Sequence, residues 1–467
     1  MRERAAIVLD VGKTLSKLTL WSHRGQSLDR WVRPNERIET DAGYRGLDVV
    51  GVEGWLAGAL SHCARIAEVG AIICVAHGAA AALLDERGLL QAPLDYEQPI
   101  PDAVRQAYDA QREPFALTGS PALPHGLNLG AQLHYLESLQ GGPVSLAVSI
   151  LPWAQYWSWL LCGVASADVT NLGCHTDLWY PLSGTPSKLS IERGWAARIA
   201  PLAPSGAALG PLRQRWVERT GLASDVTVHC GLHDSNAALL AARAYPEITG
   251  QEATVLSTGT WFVAMRTPAV PADIASLSET RDCLVNVDAF GKPVPSARFM
   301  GGREVEILAA GQRIDAPEDQ PDLLRCVACV LARGTMVLPT FTPGSGPYPQ
   351  GNGRWIGTPG NEAERLAAVC LYAALVADAS LELIGARDRL LIEGRFAQCE
   401  VFTRALASLR PATAVYVAHS EGDASFGALR LLRPDIPPPS SLTRVEPLSE
   451  DLGEYRRRWR QEAVRVA

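Results

Sequence analysis

The stretch IVLDVGKTLSKLTLW, residues 7–21, sets two apolar runs on either side of a turn holding Asp10, Gly12, Lys13, Thr14 and Ser16. Gly12-Lys13-Thr14 supplies the closing letters of a P-loop, G-x-x-x-x-G-K-[ST]. That motif needs a glycine five residues earlier, where Ile7 stands. It also opens a helix, whereas Leu18-Thr19-Leu20-Trp21 are strand formers. The segment is therefore a β-hairpin with an acid at a strand end. A second apolar hairpin, ATVLSTGTWFVAM (253–265), turns on Ser-Thr-Gly-Thr. Strand patterns such as AIICVA, RLLIEG and AVYVA alternate with helical ones such as VVGVEGWLAGALSHCARIAEVG and NEAERLAAVCLYAALVADASLELIGA. That alternation indicates α/β layers. The repeated grammar predicts a duplicated fold with two phosphate-facing turns, divided into residues 1–235 and 236–467. The junction lies near VTVHCGLHDSNAALL, where a strand runs into a helix. VSLAVSI reads as a further strand, and EPLSEDLGEYRRRWRQEAVRV as an amphipathic surface helix.

With 467 residues the chain is too long for one core, so two domains are expected. A net charge of -7 argues against nucleic acid as a partner. No apolar run is read as approaching the roughly 18 residues that span a bilayer. The opening MRERAAIVLD lacks a signal-peptide pattern, so a cytoplasmic protein is expected. Ten cysteines are scattered singly, which reads as reduced and mostly buried thiols. Cys326 and Cys329 form a C-x-x-C on a helical stretch with no second pair, so helix packing is expected rather than a redox or metal role. Cys174 and His175 in GCHTD likewise lack further ligands and read as packing.

A nucleotide held between two hairpin turns is a concrete chemical reading. Turn N–H groups and Ser/Thr hydroxyls donate to phosphate oxygens, and glycine lets the backbone approach closely. Asp10, at a strand end, suits a hydrated Mg²⁺ that bridges phosphates. Asp234 opens a small-residue helix after the extended VTVHC. It is either a helix N-cap or a base that takes a proton from a substrate hydroxyl during attack on a γ-phosphate. Asp10 and Asp234 are thus the candidate metal-facing acids. Of the aromatic segment LPWAQYWSWLLCG, Trp153 and Gln155 are the side chains expected to reach a ligand.

Six segments in order, LDVGKT.SKL, HGA..ALLD..G, GLHDS.AAL, STGTW, FMGGRE and LIEGRFA, resemble the FGGY carbohydrate kinases. The likeness runs to about Leu432. It implies a two-domain, actin-like (ribonuclease H-like) ATPase fold with a ligand cleft between the domains, and ATP with Mg²⁺ as cofactors. Under it, Asp10, Gly12, Lys13 and Thr14 fall on the first phosphate motif, and Thr258, Gly259 and Thr260 on the second. Asp234 falls on the catalytic base. His77 and Gly78 match the sugar-side His-Gly, and Asp95 and Glu97 lie where further sugar contacts are expected. Gly301, Gly302, Gly394, Arg395 and Gln398 lie where adenosine contacts usually come from. The chain departs from the family pattern at Lys13, usually Thr, and at IEGRFAQ, where Gly394 stands alone. These departures resemble a divergent subgroup near the rhamnulose, fuculose and xylulose kinases. The implied activity is phosphorylation of a primary hydroxyl of a ketose or polyol, with a small-molecule sugar as partner, no nucleic acid or membrane, and a homodimer left open. An actin-like ATPase acting on a protein and a sugar sensor without catalysis are the alternatives.

Overall fold

The run AAIVLDV forms β1 (Ala5–Val11), buried at all seven positions, as befits a strand covered on both faces. The computed structural model describes residues 4–270, 273–418 and 423–466. β2 (Leu15–Trp21) and β3 (Ser27–Pro34) follow as antiparallel neighbours. On the other side of β1 lies parallel β4 (Val69–Ala76). β5 (Ala208–Pro211) and β6 (Thr227–His229) complete the order β5-β6-β4-β1-β2-β3, and the short β7 (Leu232–His233) pairs with the end of β4. Helix α1 (Val49–Ile66) buries Val52, Leu56, Leu60 and Cys63, a helical stripe, and Asp48 caps it by accepting the Gly51 N–H. The aromatic segment becomes α2 (Trp153–Cys162), in which Trp153 stacks on Tyr156 and meets Trp157 edge-on. α3 (Asp234–Ala242) starts directly after β7.

A second sheet repeats this plan. β8 (Ala253–Thr258) and β9 (Phe262–Thr267) make the second hairpin, and β10 (Pro293–Phe299) continues it antiparallel. β11 (Arg389–Gly394) and β12 (Ala414–Ala418) follow β8 in parallel, and β13 (Leu442–Arg444) closes that edge. The order β10-β9-β8-β11-β12 therefore matches β3-β2-β1-β4-β6 in sequence of strands and in direction. This is the duplicated ribonuclease H-like arrangement. Its helices are α4 (Gly301–Ala309), α5 (Gln320–Arg333), α6 (Glu362–Leu383) and α7 (Glu400–Leu409). Phe262 packs against Phe299, Phe396 and Phe402 in the core of this half.

The chain does not divide at a single point. One compact unit comprises Met1–Ala241, Val285–Pro293 and Asp423–Pro437, and the other Ala242–Leu284, Val294–Gly422 and Pro438–Ala467. The late helix α8 (Ala424–Leu432) thus belongs with the first unit, where it packs on β1 and β4. The C-terminal α9 (Gly453–Val466) belongs to the second and anchors there through fully buried Trp459, whose Nε1 donates to Val337 O at 2.6 Å.

Three expectations need correcting. VSLAVSI is not one strand: Pro143–Leu146 makes a helical turn and only Ser149–Pro152 is extended. Pro143 at the first helical position favours that turn. Helix α6 is long and apolar enough to cross a membrane, with mean hydropathy 1.8. Of that apolar window 89% is buried inside the protein, so it reads as a core helix that is apolar on all sides. Cys329 is exposed and Cys326 half-buried. The buried stripe of α5 runs through Leu323, Val327 and Val330 instead, and Cys329 falls off it.

Candidate functional site

In the first unit the turn after β1 is shaped by a residue 23 positions away. Asn35 donates to Gly12 O at 2.8 Å, accepts from the Ser16 hydroxyl at 2.7 Å, and its own N–H bonds Thr14 O. Thr14 is left exposed. Asp10 sits at the end of β1, opposite Lys17 and 9% exposed. Burial, reinforced by the charge of Asp234, pushes its carboxyl up to about 7, although Lys17 Nζ at 3.9 Å works the other way.

His77 and Gly78 follow β4. Burial drives the His77 imidazole down to about 4, so it is neutral at physiological pH. Neither ring nitrogen has a hydrogen-bond partner. The ring meets Tyr96 edge-on with centroids 5.4 Å apart, and the Trp153 ring lies 6.5 Å away with its Nε1 likewise unpartnered. A Cβ at Gly78 would come within 2.9 Å of Cys174 Sγ and of the His233 ring. Only glycine gives that room.

Lys13 does not point freely at a phosphate position. Its ammonium is bonded by Asp95, which is fully buried, and lies 4.7 Å over the Tyr96 ring. Burial alone would raise the Asp95 carboxyl. The bonds from Lys13 and the Glu97 N–H, together with the charges of Lys13 and Arg37, nevertheless hold it below its ordinary value. Glu97 is half-exposed and paired with Arg37, as a surface charge would be. Gln155 is fully buried and its amide is already engaged: Nε2 donates to Gly231 O at 2.9 Å and Oε1 accepts from Asn171 at 3.3 Å.

Gly231, at φ +88°, breaks the strand between β6 and β7, and a Cβ there would lie 2.2 Å from Cys74 O. The chain then presents His233 and Asp234. His233 is buried, its Nε2 lies 3.2 Å from Asp234 Oδ1, and its Nδ1 is unpartnered. Asp234 Oδ1 also accepts from the Ser235 N–H at 2.6 Å and its hydroxyl at 3.2 Å. These bonds go to the adjacent residue, whereas an N-cap side chain serves the N–H two or three positions on. The carboxylate remains about one-third exposed.

In the second unit, Thr258 is buried and its hydroxyl is already engaged, donating to Glu393 O at 2.5 Å and accepting the Phe396 N–H at 3.1 Å. It ties the second hairpin turn to the loop after β11. Gly259 and Thr260 are exposed on that turn. Gly302, in the first turn of α4, lies so close that its Cβ would be 2.1 Å from Gly259 O, while one on Gly301 would strike Phe262 and Phe299 at 2.7 Å. Gly394 adopts φ +85° with Thr258 O 2.4 Å from where a Cβ would stand. These glycines bring α4 and the β11 loop against the turn. Arg395 is bonded to Asp315 at 3.1 and 3.3 Å, and Gln398 is exposed.

A family profile described as "Carbohydrate kinase FGGY, C-terminal domain" matches residues 250–439. The crystal structure of a carbohydrate kinase from Novosphingobium aromaticivorans shares 54% identity over 100% of both chains, with a TM-score of 0.96. The chain belongs to the FGGY carbohydrate kinase family. Xylulose kinase from Rhodospirillum rubrum matches over 99% of this chain and 98% of its own, at 19% identity and TM-score 0.76. Plasmodium falciparum glycerol kinase with ADP matches over 99% and 98%, at 12% and 0.79. These two share the fold. No curated protein sequence matches the chain.

Whether the residues of this FGGY kinase suit a divalent cation is decided by Asp10 and Asp234. The described residues hold no group of three or more metal-binding side chains, so any ion would keep most of its ligands as water or phosphate, as Mg²⁺ does. Asp10 raises the case for one, because its charge is buried beside another acid and the charges of Lys17 and Arg30 do not offset that burial. The folded carboxyl titrates near 7 against about 3.9 when unfolded. The folded state therefore holds the extra proton between these values, and stability falls as pH rises from about 4 to 7. Asp10→Asn should accordingly stabilise the nucleotide-free protein, and more at pH 8 than at pH 5. Thermal melts at the two pH values test this; a pH-independent difference would show that Asp10 is not the strained acid.

Proposed function

We propose that this FGGY kinase transfers the γ-phosphoryl group of ATP, with Mg²⁺, to a primary hydroxyl of a ketose or related polyol. A ketopentose or a 6-deoxyketohexose such as rhamnulose or fuculose is favoured. The observation that carries this reading is a set of buried, unpartnered polar atoms: both nitrogens of His77, Nε1 of Trp153 whose ring lies 6.5 Å from that of His77, and Nδ1 of His233, the residue that meets Asp234. Polar atoms so buried cost free energy unless something bonds them. A polyhydroxylated ligand supplies both donors and acceptors, and uncharged His77 can serve as either.

In this reading Asp234 accepts the proton of the attacking hydroxyl, with His233 holding the carboxylate at its Oδ1 edge. With the Gly12 and Gly259 N–H groups already bonded to Leu15 O and Trp261 O, it is exposed Thr14 and Thr260 that donate to phosphate oxygens in this reading. Gly301, Gly302, Gly394, Arg395 and Gln398 form the nucleotide side. Mg²⁺, when bound near Asp10 and Asp234, supplies charge compensation for the phosphates. Thr258 and Gln155 shape backbone rather than touch ligand, given how their polar atoms are engaged. Lys13 serves the Asp95 loop.

The test is ADP release across a panel of pentuloses, 6-deoxyhexuloses, hexuloses and polyols. At least one ketose should raise turnover far above the sugar-free rate. In this reading that sugar should also tighten binding of a non-hydrolysable ATP analogue, and the analogue should tighten sugar binding by the same factor. Sugar that binds without ADP formation would leave a sensor and end the kinase reading.

A further inference from the structure

The segment ASADVTNL (165–172) takes no part in the reading above, yet it contains a buried acid with four hydrogen bonds. Asp168 is 0% exposed. Its Oδ1 accepts from the Thr170 hydroxyl at 2.8 Å, the Asn171 N–H at 3.1 Å and Asn171 Nδ2 at 2.7 Å. Its Oδ2 accepts from the Ser205 hydroxyl at 2.6 Å. Capping the short helix Val169–Leu172 would need one of these bonds. The other three lead elsewhere, and all converge on the four residues that end in the base.

Each route can be followed atom by atom. Thr170 gives its only hydroxyl proton to Asp168, so its lone pairs face away, and one accepts the His233 N–H at 2.9 Å. Asn171 also donates to Gln155 Oε1, and Gln155 Nε2 holds Gly231 O at 2.9 Å. Ser205, besides its hydroxyl bond to Asp168, accepts the Gly231 N–H at its carbonyl at 2.8 Å. Gly231 is therefore held at both its N–H and its C=O, and His233 at its N–H. Between them Leu232 and His233 pair with Val75 and Ala76, immediately before His77. A two-residue strand after a positive-φ glycine has little pairing of its own to fix its register.

We infer that Asp168 and Thr170 are positioning residues that set the register of Gly231–His233 and so the place of Asp234 against the substrate hydroxyl. The inference rests on Asp234 being the base. Burying a carboxylate is costly, and it is tolerated where its bonds are complete and fix one arrangement. Here that arrangement carries His233 and Asp234 together, since the two are adjacent and their side chains touch.

The experiment compares Thr170→Val, which keeps the shape and loses the acceptor, with Thr170→Ser, which keeps the acceptor, in the full-length enzyme with its best panel ketose and MgATP. Thr170→Val should lower kcat about 10-fold, as a misplacement of a fraction of an ångström does, with the sugar KM held within about twofold. Thr170→Ser should recover most of the loss. A role in stability alone would lower Tm and leave kcat of the folded enzyme untouched, and that result overturns the inference. Should Thr170→Val not fold, Ser205→Ala probes the same carboxylate from its other oxygen. A drop in kcat at constant KM then supports the inference, and an unchanged kcat overturns it. Asp234→Asn is measured alongside. If it is inactive while Thr170→Val works normally, the inference fails and the base assignment stands; if Asp234→Asn stays active, both fail.

Discussion

Asp234→Asn should lower kcat by roughly 10²- to 10⁴-fold, the contribution of a positioned proton acceptor, while the sugar dissociation constant changes little. The amide keeps an oxygen that can accept the Ser235 N–H, so the start of α3 should survive. It cannot take a proton. Asp234 Oδ1 also faces His233 Nε2 at 3.2 Å, and the Asn amide can present either its oxygen or its NH₂ to that ring nitrogen. Steady-state turnover, together with sugar titration by calorimetry, separates loss of chemistry from loss of binding. More than half the wild-type kcat would remove Asp234 from the reaction and leave it a helix-terminal residue.

Gly302→Ala should be among the most damaging single methyl additions at the described glycines of the second unit. The added Cβ would lie 2.1 Å from Gly259 O and 2.9 Å from Gly259 C. Both are backbone atoms, so no side chain can swing aside. Relief requires α4 to retreat from the hairpin turn, on which Gly259 and Thr260 are exposed. A displacement near 1 Å of phosphate-binding backbone costs about 10²-fold in kcat/KM for the nucleotide. Sugar affinity, which the proposed reading assigns to residues of the first unit, should remain. Nucleotide kinetics at saturating sugar measure the effect; a variant with normal kcat/KM for ATP would mean the turn does not touch phosphate.

The two hairpins and the duplicated layering were legible because they rest on local signals. Alternating apolar runs, turn glycines and strand-end acids lie within fifteen residues of one another in each hairpin, and the matching strand orders follow from them. The places of Asp10, His77 and Asp234 at strand ends or a helix start were legible for the same reason. Contacts between distant segments were not. Nothing near Lys13 in sequence announces that Asp95, 82 positions on, takes its ammonium. Thr258 and Gln155 look like free polar groups until their backbone partners are in place. His233 was hidden differently, within a motif whose acid drew attention away from the imidazole beside it. Cys329 was misread because helical spacing gives a stripe, and the position of that stripe is set by neighbours the sequence does not show.

Helix α8 has a consequence for how the protein is made. Ser425 accepts a hydrogen bond from Trp21 Nε1 at 2.9 Å across 404 residues of chain, and a Cβ at Gly427 would lie 1.7 Å from Ala237 O. The first unit therefore lacks one of its covering helices until Ala424–Leu432 has left the ribosome. During that interval part of the apolar face of β1 and β4 stays open, the kind of surface on which nascent chains stick to one another or recruit chaperones. Residue order and assembly order are thus opposed in this protein: the segment synthesised first is among the last to be finished.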